Sequence, residues 1–347
     1  MIPPRNIYYM LLYAWGHFIP GEIQTVGSDE SPNLPTLLAG ILNARIHRLL
    51  RRGIDQGYVS SIEDLRAPRG RLKMTEMVGR QTLLRGYAVC EIDELTPDIL
   101  HNRILLETIL RLAGEKGINR GLQRELKLTA ARMRGVSRIR LTGDVFKRVQ
   151  LSRNTAQYGL LMHICELLFH EHMPDSQGEG GSLVGLAQDE VRMAYLYEEF
   201  LRSFYKIELP HSKVAKEQMR WEAKSDAEAL ALLPIMETDV TIRSPGRVLV
   251  IDAKYYPSHL TTSRFGTERV HSSHLYQLKS YLNHVSRREP EVTVDGMLIY
   301  PQGPFAADLR YCLEGHNIRI ATVNMGQEWQ DIHNRLLQLV DFPADDN

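Results

Sequence analysis

Two carboxylates and one ammonium are the residues in this sequence best spaced to do chemistry together. Asp239 stands in the segment Met-Glu-Thr-Asp-Val-Thr-Ile. After twelve intervening residues, Asp252-Ala253-Lys254 closes the apolar run Val248 to Ile251. Side chains alternate along a strand, so Asp252 and Lys254 share one face and Ala253 points to the other. Charged groups that end a core strand are costly unless something compensates them. If the preceding strand pairs alongside, Asp239 reaches the same end, and two close carboxylates repel unless a cation such as Mg²⁺ relieves them. These are the parts of a metal-assisted phosphodiester hydrolase. Asp239 and Asp252 would hold Mg²⁺, the carbonyl of Ala253 would add an oxygen, and water would fill the remaining positions. Lys254 would orient the attacking water and offset the charge that grows on the phosphate. The alternative is an Asp–Lys ion pair at a strand end, and the spacing alone leaves it open.

Two further features bear on that choice. In Tyr-Leu-Tyr-Glu-Glu-Phe-Leu-Arg-Ser-Phe, the residues Tyr197, Phe200, Leu201 and Phe204 define a buried helical stripe. At 100° per residue Glu198 borders the stripe, where it serves as an extra metal ligand or as a solvated flank residue, while Glu199 is expected toward solvent. Downstream, Gln277 and Tyr281 lie one turn apart on one helix face, placing an amide and a phenol where they can grip a phosphate or a metal-bound water. Taken with Asp239, Asp252 and Lys254, this pattern resembles the PD-(D/E)xK nuclease superfamily, in its branch with a Q-x-x-x-Y motif. Thr238 replaces the proline that often precedes the first aspartate.

Other chemistries find less support. His163, Glu166 and His170, with Glu171 and His172, do not form H-E-x-x-H and read as a core-flanking helix. His271 and His274 read as the cap of the Gln277 helix or as DNA-facing groups. The 347 residues contain neither G-x-x-x-x-G-K-[ST] nor G-x-S-x-G. Cys90, Cys165 and Cys312 are scattered and read as buried reduced thiols.

The elements that must position these groups fall into two parts, as the length of 347 residues favours. Apolar residues make up 43% and charged residues 24%, with 42 basic against 42 acidic, which excludes a disordered chain, a disulfide scaffold and a global polycation. The charge is uneven: residues 101–150 hold twelve Lys and Arg against four Asp and Glu, and residues 151–200 hold two against eight. A linker is expected at Pro174 to Gly185, dividing domains at 1–180 and 181–347. No apolar run is long enough for a membrane span and no secretory leader is evident, so a cytoplasmic protein is expected.

The first part opens with a helix capped by Asn6 and a second helix near 36–50. Short strands punctuated by Gly70, Gly79 and Gly86 follow, then a helix capped at Thr96-Pro97, then helices near 118–133 and 155–172. The second part reads as helix 189–207, strands near 213–222, 236–243 and 247–254, helix 272–285, and strands near 295–300 and 318–323. That order predicts an α/β fold with a mixed sheet flanked by helices. Arg120, Arg124, Lys127, Arg132, Arg134, Arg138 and Arg140 form a basic stretch. It reads as a solvated helix face, a phosphate-tracking surface or a match for an acidic partner. Arg69, Arg71 and Arg80 form a second basic group, on a projecting hairpin.

The whole chain also resembles a particular family. Pro4-Arg5-Asn6-Ile7-Tyr8-Tyr9-Met10-Leu11 with Tyr13-Ala14-Trp15, Met236 to Asp239, Ile251 to Tyr256, Gly266-Thr267-Glu268, Leu275 to Leu278, and Thr322 to Trp329 are similar to McrC. McrC is the nuclease subunit of the McrBC restriction system. The resemblance implies an α+β N-terminal finger or stalk domain that inserts into the ring of an AAA+ GTPase like McrB, followed by a PD-(D/E)xK nuclease domain. It implies that the partner recognises modified cytosine and hydrolyses GTP, that this chain stimulates the hydrolysis, and that double-stranded DNA is cut with Mg²⁺. One of Arg69, Arg71 or Arg80 would then touch the partner's GTPase region. A stand-alone repair nuclease and a GTPase-activating adaptor with an inactive nuclease site are the alternatives.

Overall fold

In the computed structural model the described residues are 2–18, 33–171, 186, 189–221, 223, 225, 227–255, 260–262, 268–304 and 306–341. The expected linker Pro174 to Gly185 lies outside them. The chain divides into two compact units, one of Ser31–Leu183 and one of Met1–Glu30 with Val184–Asn347.

The opening helix α1 spans Pro4–Ala14, with Pro4 at its first turn and Pro3, rather than Asn6, at the N-cap. Proline suits that place because its missing N–H would have no helical partner there. In the Ser31–Leu183 unit, α2 (Leu34–Arg52) begins with the Asn33 side chain accepting from the Thr36 amide, and β1 (Gly57–Leu65) follows. Next come β2 (Arg71–Leu72), α3 (Met74–Arg80), a 3₁₀ turn at Thr82–Arg85 and β3 (Ala88–Thr96). The helices α4 (Leu100–Leu112), α5 (Arg120–Arg132), α6 (Gly143–Lys147) and α7 (Gly159–Glu171) complete it.

The expected short strands of this unit prove to be a long antiparallel ribbon. β1 and β3 pair over nine residues, from Gly57 opposite Thr96 to Leu65 opposite Ala88, with β2 on the far side of β3. The far end of the ribbon, where Met77 of α3 packs on it, is buried through Ala88, Val89, Cys90 and Ile92, while Tyr58, Ile62 and Leu95 toward its base are exposed. Gly70 has φ +76°, and a Cβ there would lie 2.3 Å from the Glu91 carbonyl oxygen, so the ribbon closes only around glycine. The Thr96-Pro97 cap is also revised. The helix starts at Leu100, and the Thr96 hydroxyl instead accepts from the Asp98 amide.

The other unit continues with α8 (Glu190–Glu208), β4 (Lys213–Ala215), β5 (Gln218–Met219), α9 (Ala227–Ala231), β6 (Met236–Glu237), β7 (Val240–Ser244) and β8 (Arg247–Ala253). After these come β9 (Leu260–Thr262), β10 (Glu268–Val270), α10 (Ser272–Arg288), β11 (Thr293–Pro301), β12 (Asp308–Leu313), β13 (His316–Val323) and α11 (Trp329–Val340). The six-stranded sheet runs β12-β13-β11-β8-β7-β4, with β8, β11 and β13 parallel and the outer pairings antiparallel. This is the mixed sheet expected of the second half. Val248 and Val250 of β8 pack with Leu278, Tyr281, Leu282 and Val285 of α10. The alternate residues Leu249 and Ile251 point to the other face, where α8 meets β7 and β8 and α11 meets β13. Gly296 lets α10 settle closely on β11: a Cβ there would lie 2.8 Å from the end of the Leu282 side chain.

The expected cut at 180 therefore changes in one respect, because α1 belongs with the C-terminal unit. Asn6 is buried, and its amide donates to the carbonyls of Met325 and Gln327, both at 2.8 Å. Tyr9 and Tyr13 pack on Trp329, Tyr13 also meets Phe204, and the Tyr13 hydroxyl donates to Glu208 at 2.7 Å. A short amphipathic helix is unstable alone and is held by such tertiary packing. Among the cysteines, Cys90 and Cys165 are buried as expected, whereas Cys312 is exposed on edge strand β12.

Candidate active site

Continuing the β7–β8 register by one residue beyond Val240 opposite Ile251 puts Asp239 opposite Asp252. The turn that makes this possible is Ser244 to Arg247, with Gly246 at φ +73°. Asp239 Oδ2 accepts from the Ala253 amide at 2.7 Å, which fixes the first carboxylate against the strand that carries the second. Thr238, in the place where proline was absent, is fully buried. Its hydroxyl accepts from the Glu217 amide at 3.0 Å and meets the Thr241 hydroxyl at 2.9 Å, so the threonine anchors the bend before Asp239.

Asp252 and Lys254 face α10, as alternation from Val248 and Val250 requires. Lys254 Nζ donates at 3.0 Å to Asp252 Oδ1 and at 3.0 Å to Gln277 Oε1, and Gln277 Nε2 donates at 2.8 Å to the Tyr281 hydroxyl. The lysine amide also bonds the Ile299 carbonyl at 2.9 Å, extending the pairing of β8 with β11. Asp239, Asp252, Lys254, Gln277 and Tyr281 thus gather at the carboxyl end of the central strand, where open α/β sheets place their ligands.

The electrostatics are those of a crowded acidic site. Burial pushes the Asp252 carboxyl up to about 7, with the charge of Asp239 adding to it and Lys254 opposing. Asp239 is also raised by burial, against the Ala253 amide and the nearby cations. Glu198, on α8, is raised to about 7 by burial and then by Asp239, so it stands within electrostatic reach of the pair. Burial works against the Lys254 ammonium, but Asp252 and Asp239 outweigh it and its pKa ends above the ordinary value. His274 sits beside the cluster with Nδ1 2.9 Å from the Tyr300 hydroxyl, and burial with Lys254 lowers it to about 4. His271 does occupy the N-cap of α10, but without a side-chain cap bond.

The donor set suits a hard divalent cation. Asp252 Oδ2 is buried and accepts no hydrogen bond, although Lys254 Nζ lies 2.9 Å away as an ion-pair partner. Among the described residues no three His, Cys, Asp or Glu side chains are grouped closely enough to cage a metal by themselves. Mg²⁺ does not require such a cage, since it is commonly held by one or two carboxylates with water and phosphate oxygens completing the shell.

Sequence reasoning missed two cations beside these acids. Arg202, one helical turn after Glu198, donates to the Asp239 carbonyl at 3.3 Å and pairs with Glu199, which is therefore half-buried rather than directed to solvent. The i, i+4 spacing of Glu198 and Arg202 was the available signal. Lys216 pairs with Glu237 at 2.8 Å and lowers both Glu198 and Asp239.

On the ribbon, Arg69 pairs with Glu94 at 3.0 Å and Arg80 with Glu76 at 3.1 Å, whereas Arg71 is exposed and makes no ion pair among the described residues. The His163 helix shows no metal grouping among the described residues, and His172 lies outside them.

The fold is a mixed α/β sheet with an acidic pair and a lysine gathered at its carboxyl edge. Residues 5–301 match the family described as McrBC 5-methylcytosine restriction system component, and the chain belongs to that family. It is 35% identical over 344 residues to the "Type IV methyl-directed restriction enzyme EcoKMcrBC" of Escherichia coli K12, covering 98% of each chain. The fold is also that of a chain in the "Refined half-complex from tetradecameric assembly of Thermococcus gammatolerans McrB AAA+ hexamers with bound McrC". The match has a TM-score of 0.62 at 18% identity and covers 97% of this chain and 76% of that one. The protein is accordingly a restriction-system component. No helix among the described residues is long and apolar enough to cross a membrane.

Proposed function

We propose that this chain is the Mg²⁺-dependent endonuclease subunit of a GTP-driven, methylcytosine-dependent restriction complex. In this reading it cuts double-stranded DNA in the cytoplasm through a PD-(D/E)xK site and stimulates the GTPase of an AAA+ ring like McrB. The observation that carries the reading is the placement of Asp239 opposite Asp252, with Lys254 bridging Asp252 to Gln277.

Asp239 and Asp252 would hold Mg²⁺ with the Ala253 carbonyl as a further oxygen donor, whereas Glu198, expected as a ligand, is not grouped closely enough with the pair and contributes only its charge. The bound ion would act as a Lewis acid on the scissile phosphate and lower the pKa of a coordinated water. Lys254 is held by two acceptors, so its ammonium is oriented before substrate arrives and offsets charge developing on the phosphate. Gln277 fixes the lysine from the α10 side, and Tyr281 fixes Gln277.

The relative's methyl-directed restriction supports modified DNA as the substrate, and the McrB hexamers bound to McrC in the structural neighbour support a ring partner. The 347 residues hold no P-loop motif, in keeping with GTP hydrolysis by another chain. Arg69, Arg71 or Arg80 on the ribbon is the proposed contact to the partner's GTPase region. Alanine replacement of each, with undiminished stimulated GTP turnover, removes that assignment.

The test is cleavage of matched methylated and unmethylated plasmids by this chain with its GTPase partner, Mg²⁺ and GTP, alongside Asp252→Ala. Breaks that depend on methylation and GTP and vanish in the variant are expected, with partner binding and GTP turnover retained. Turnover without cleavage by the parent would make the chain an activating adaptor. Cleavage indifferent to GTP would make it a free-standing nuclease.

A further inference from the structure

The basic stretch of the Ser31–Leu183 unit takes no part in the site above, and the structure sorts its cations into two kinds. Arg138 is committed to the buried Glu107, at 2.9 and 3.1 Å, and Arg132 contacts the His47 ring at 3.0 Å. Arg120, Arg124, Lys127, Arg134 and Arg140 are exposed and make no ion pair among the described residues. Among the acids of the same stretch, Glu107 is held by Arg138 and Arg111, Glu125 by the Asn43 amide, and Asp144 by Lys147. The unit carries 23 Lys and Arg against 16 Asp and Glu, a net of +7, where the rest of the chain carries 19 against 26.

Helix α5 shows how the cations are presented. Leu126 and Thr129 are fully buried, where the helix packs on α2 and α4. At 100° per residue Arg120, Arg124 and Lys127 fall within one stripe on the opposite face. They are spaced i, i+4 and i+7, so like charges are neighbours and repel, a helix-weakening arrangement that a bound polyanion relieves. The segment after α5 continues the display on a fixed backbone. Asp98 accepts from the Ser137 amide at 2.7 Å and its hydroxyl at 2.6 Å, and Glu107 clamps Arg138, leaving Arg134 and Arg140 on either side of the two anchors.

We propose that the α5 face, Arg120, Arg124 and Lys127 with Arg134 and Arg140, is a sequence-independent binding surface for the phosphate backbone of double-stranded DNA. It rests on the reading of the chain as a DNA-cutting subunit and gives that subunit a hold on the duplex separate from the Asp252 site. The stripe bears cations without interleaved acids, which fits a uniform row of phosphates, whose neutralisation releases counterions.

The test uses the full chain in EDTA with a fluorescent 40-base-pair unmethylated duplex, titrated at several salt concentrations. The triple variant R120Q/R124Q/K127Q is expected to bind about tenfold or more weakly, with the slope of log K against log salt reduced by about 2 to 3. A control triple of equal charge change, K206Q/K213Q/R287Q, is expected to keep the parent slope. Cooperative thermal melts at or above that of the parent confirm that both triples fold. Superimposable curves for the α5 triple and the parent, or equal losses in both triples, overturn the proposal. So does loss of assembly with the GTPase partner while DNA binding is retained, which would make the face a protein contact. D252A is expected to bind DNA with the parent slope. If the parent itself never cleaves, the nuclease reading fails while this surface still stands or falls by its slope.

Discussion

Asp252 is the residue whose chemistry and cost are most closely joined. Its carboxyl rises from an ordinary 3.8 to about 7, chiefly by burial, and Glu198 rises from 4.5 to about 7. Between about pH 4 and 7 these two carboxyls hold more protons in the folded chain than in the unfolded one, so their contribution to stability falls as pH rises across that window. Asp252→Asn removes its share of this loss. The variant is expected to melt several degrees above the parent at pH 8 and together with it at pH 4, while losing cleavage. Mg²⁺ at pH 8 is expected to raise the melting temperature of the parent but not of the variant, since an ion bound by the folded state alone stabilises it. A metal-independent melt of the parent would count against the carboxylate pair as a cation site. Lys254→Ala is expected to lower the cleavage rate about 10²–10³-fold, the range seen when a preorganised charge-stabilising donor is removed. A single-turnover assay reads this directly.

At the scale of elements, two short pieces carry large consequences. The Asn6 amide is one of the ties that hold helix α1, so Asn6→Ala leaves the buried Met325 carbonyl and the part-buried Gln327 carbonyl without their donor. A loss of about 1–3 kcal/mol in unfolding free energy is expected. Faster amide exchange in α1 and α11 is expected to accompany it, while the exchange of the β1–β3 ribbon is unchanged. In the ribbon, Gly70→Ala forces a Cβ against the Glu91 carbonyl, at a positive φ that alanine resists. Lost protection of β2 and the adjoining part of β3 is expected, and reduced partner GTP turnover with it if the ribbon meets the partner. Retained protection would show that the backbone relaxes. The element boundaries were partly legible beforehand. The strand Val248 to Ile251 and the helix of Gln277 declare themselves by apolar runs and period. Strand β12 does not, because it is an exposed edge with no buried stripe to give it a period. The helical turn within the ribbon is hidden for the same reason, having little buried beyond Met77 and Thr82.

Over the whole molecule, the formal charge of zero conceals a division into +7 for Ser31–Leu183 and −7 for the remainder. Opposite patches on different copies attract at low ionic strength, and a net charge near zero offers no general repulsion. Light scattering is therefore expected to show reversible association at about 20 mM salt that disperses by about 300 mM, where the Debye length falls well below 10 Å. Association that persists at high salt would point to an apolar contact instead, with exposed Leu232, Leu233 and Ile235 as its natural source.

The sequence by itself determined the candidate site, because its signal is local. An aspartate two residues before a lysine at the end of an apolar strand must place both on one face, and a glutamine and a tyrosine one turn apart must share a helix face. It also determined the family, through blocks at both ends of the chain. Only the tertiary structure decided that Asp239 stands opposite Asp252, that Lys254 is shared with Gln277, that Arg202 holds the Asp239 carbonyl, and that α1 belongs to the far unit. Those facts depend on strand register and on contacts up to 321 positions apart in the chain. The energy of such contacts comes from packing and hydrogen bonds formed on folding, which no local period or composition records.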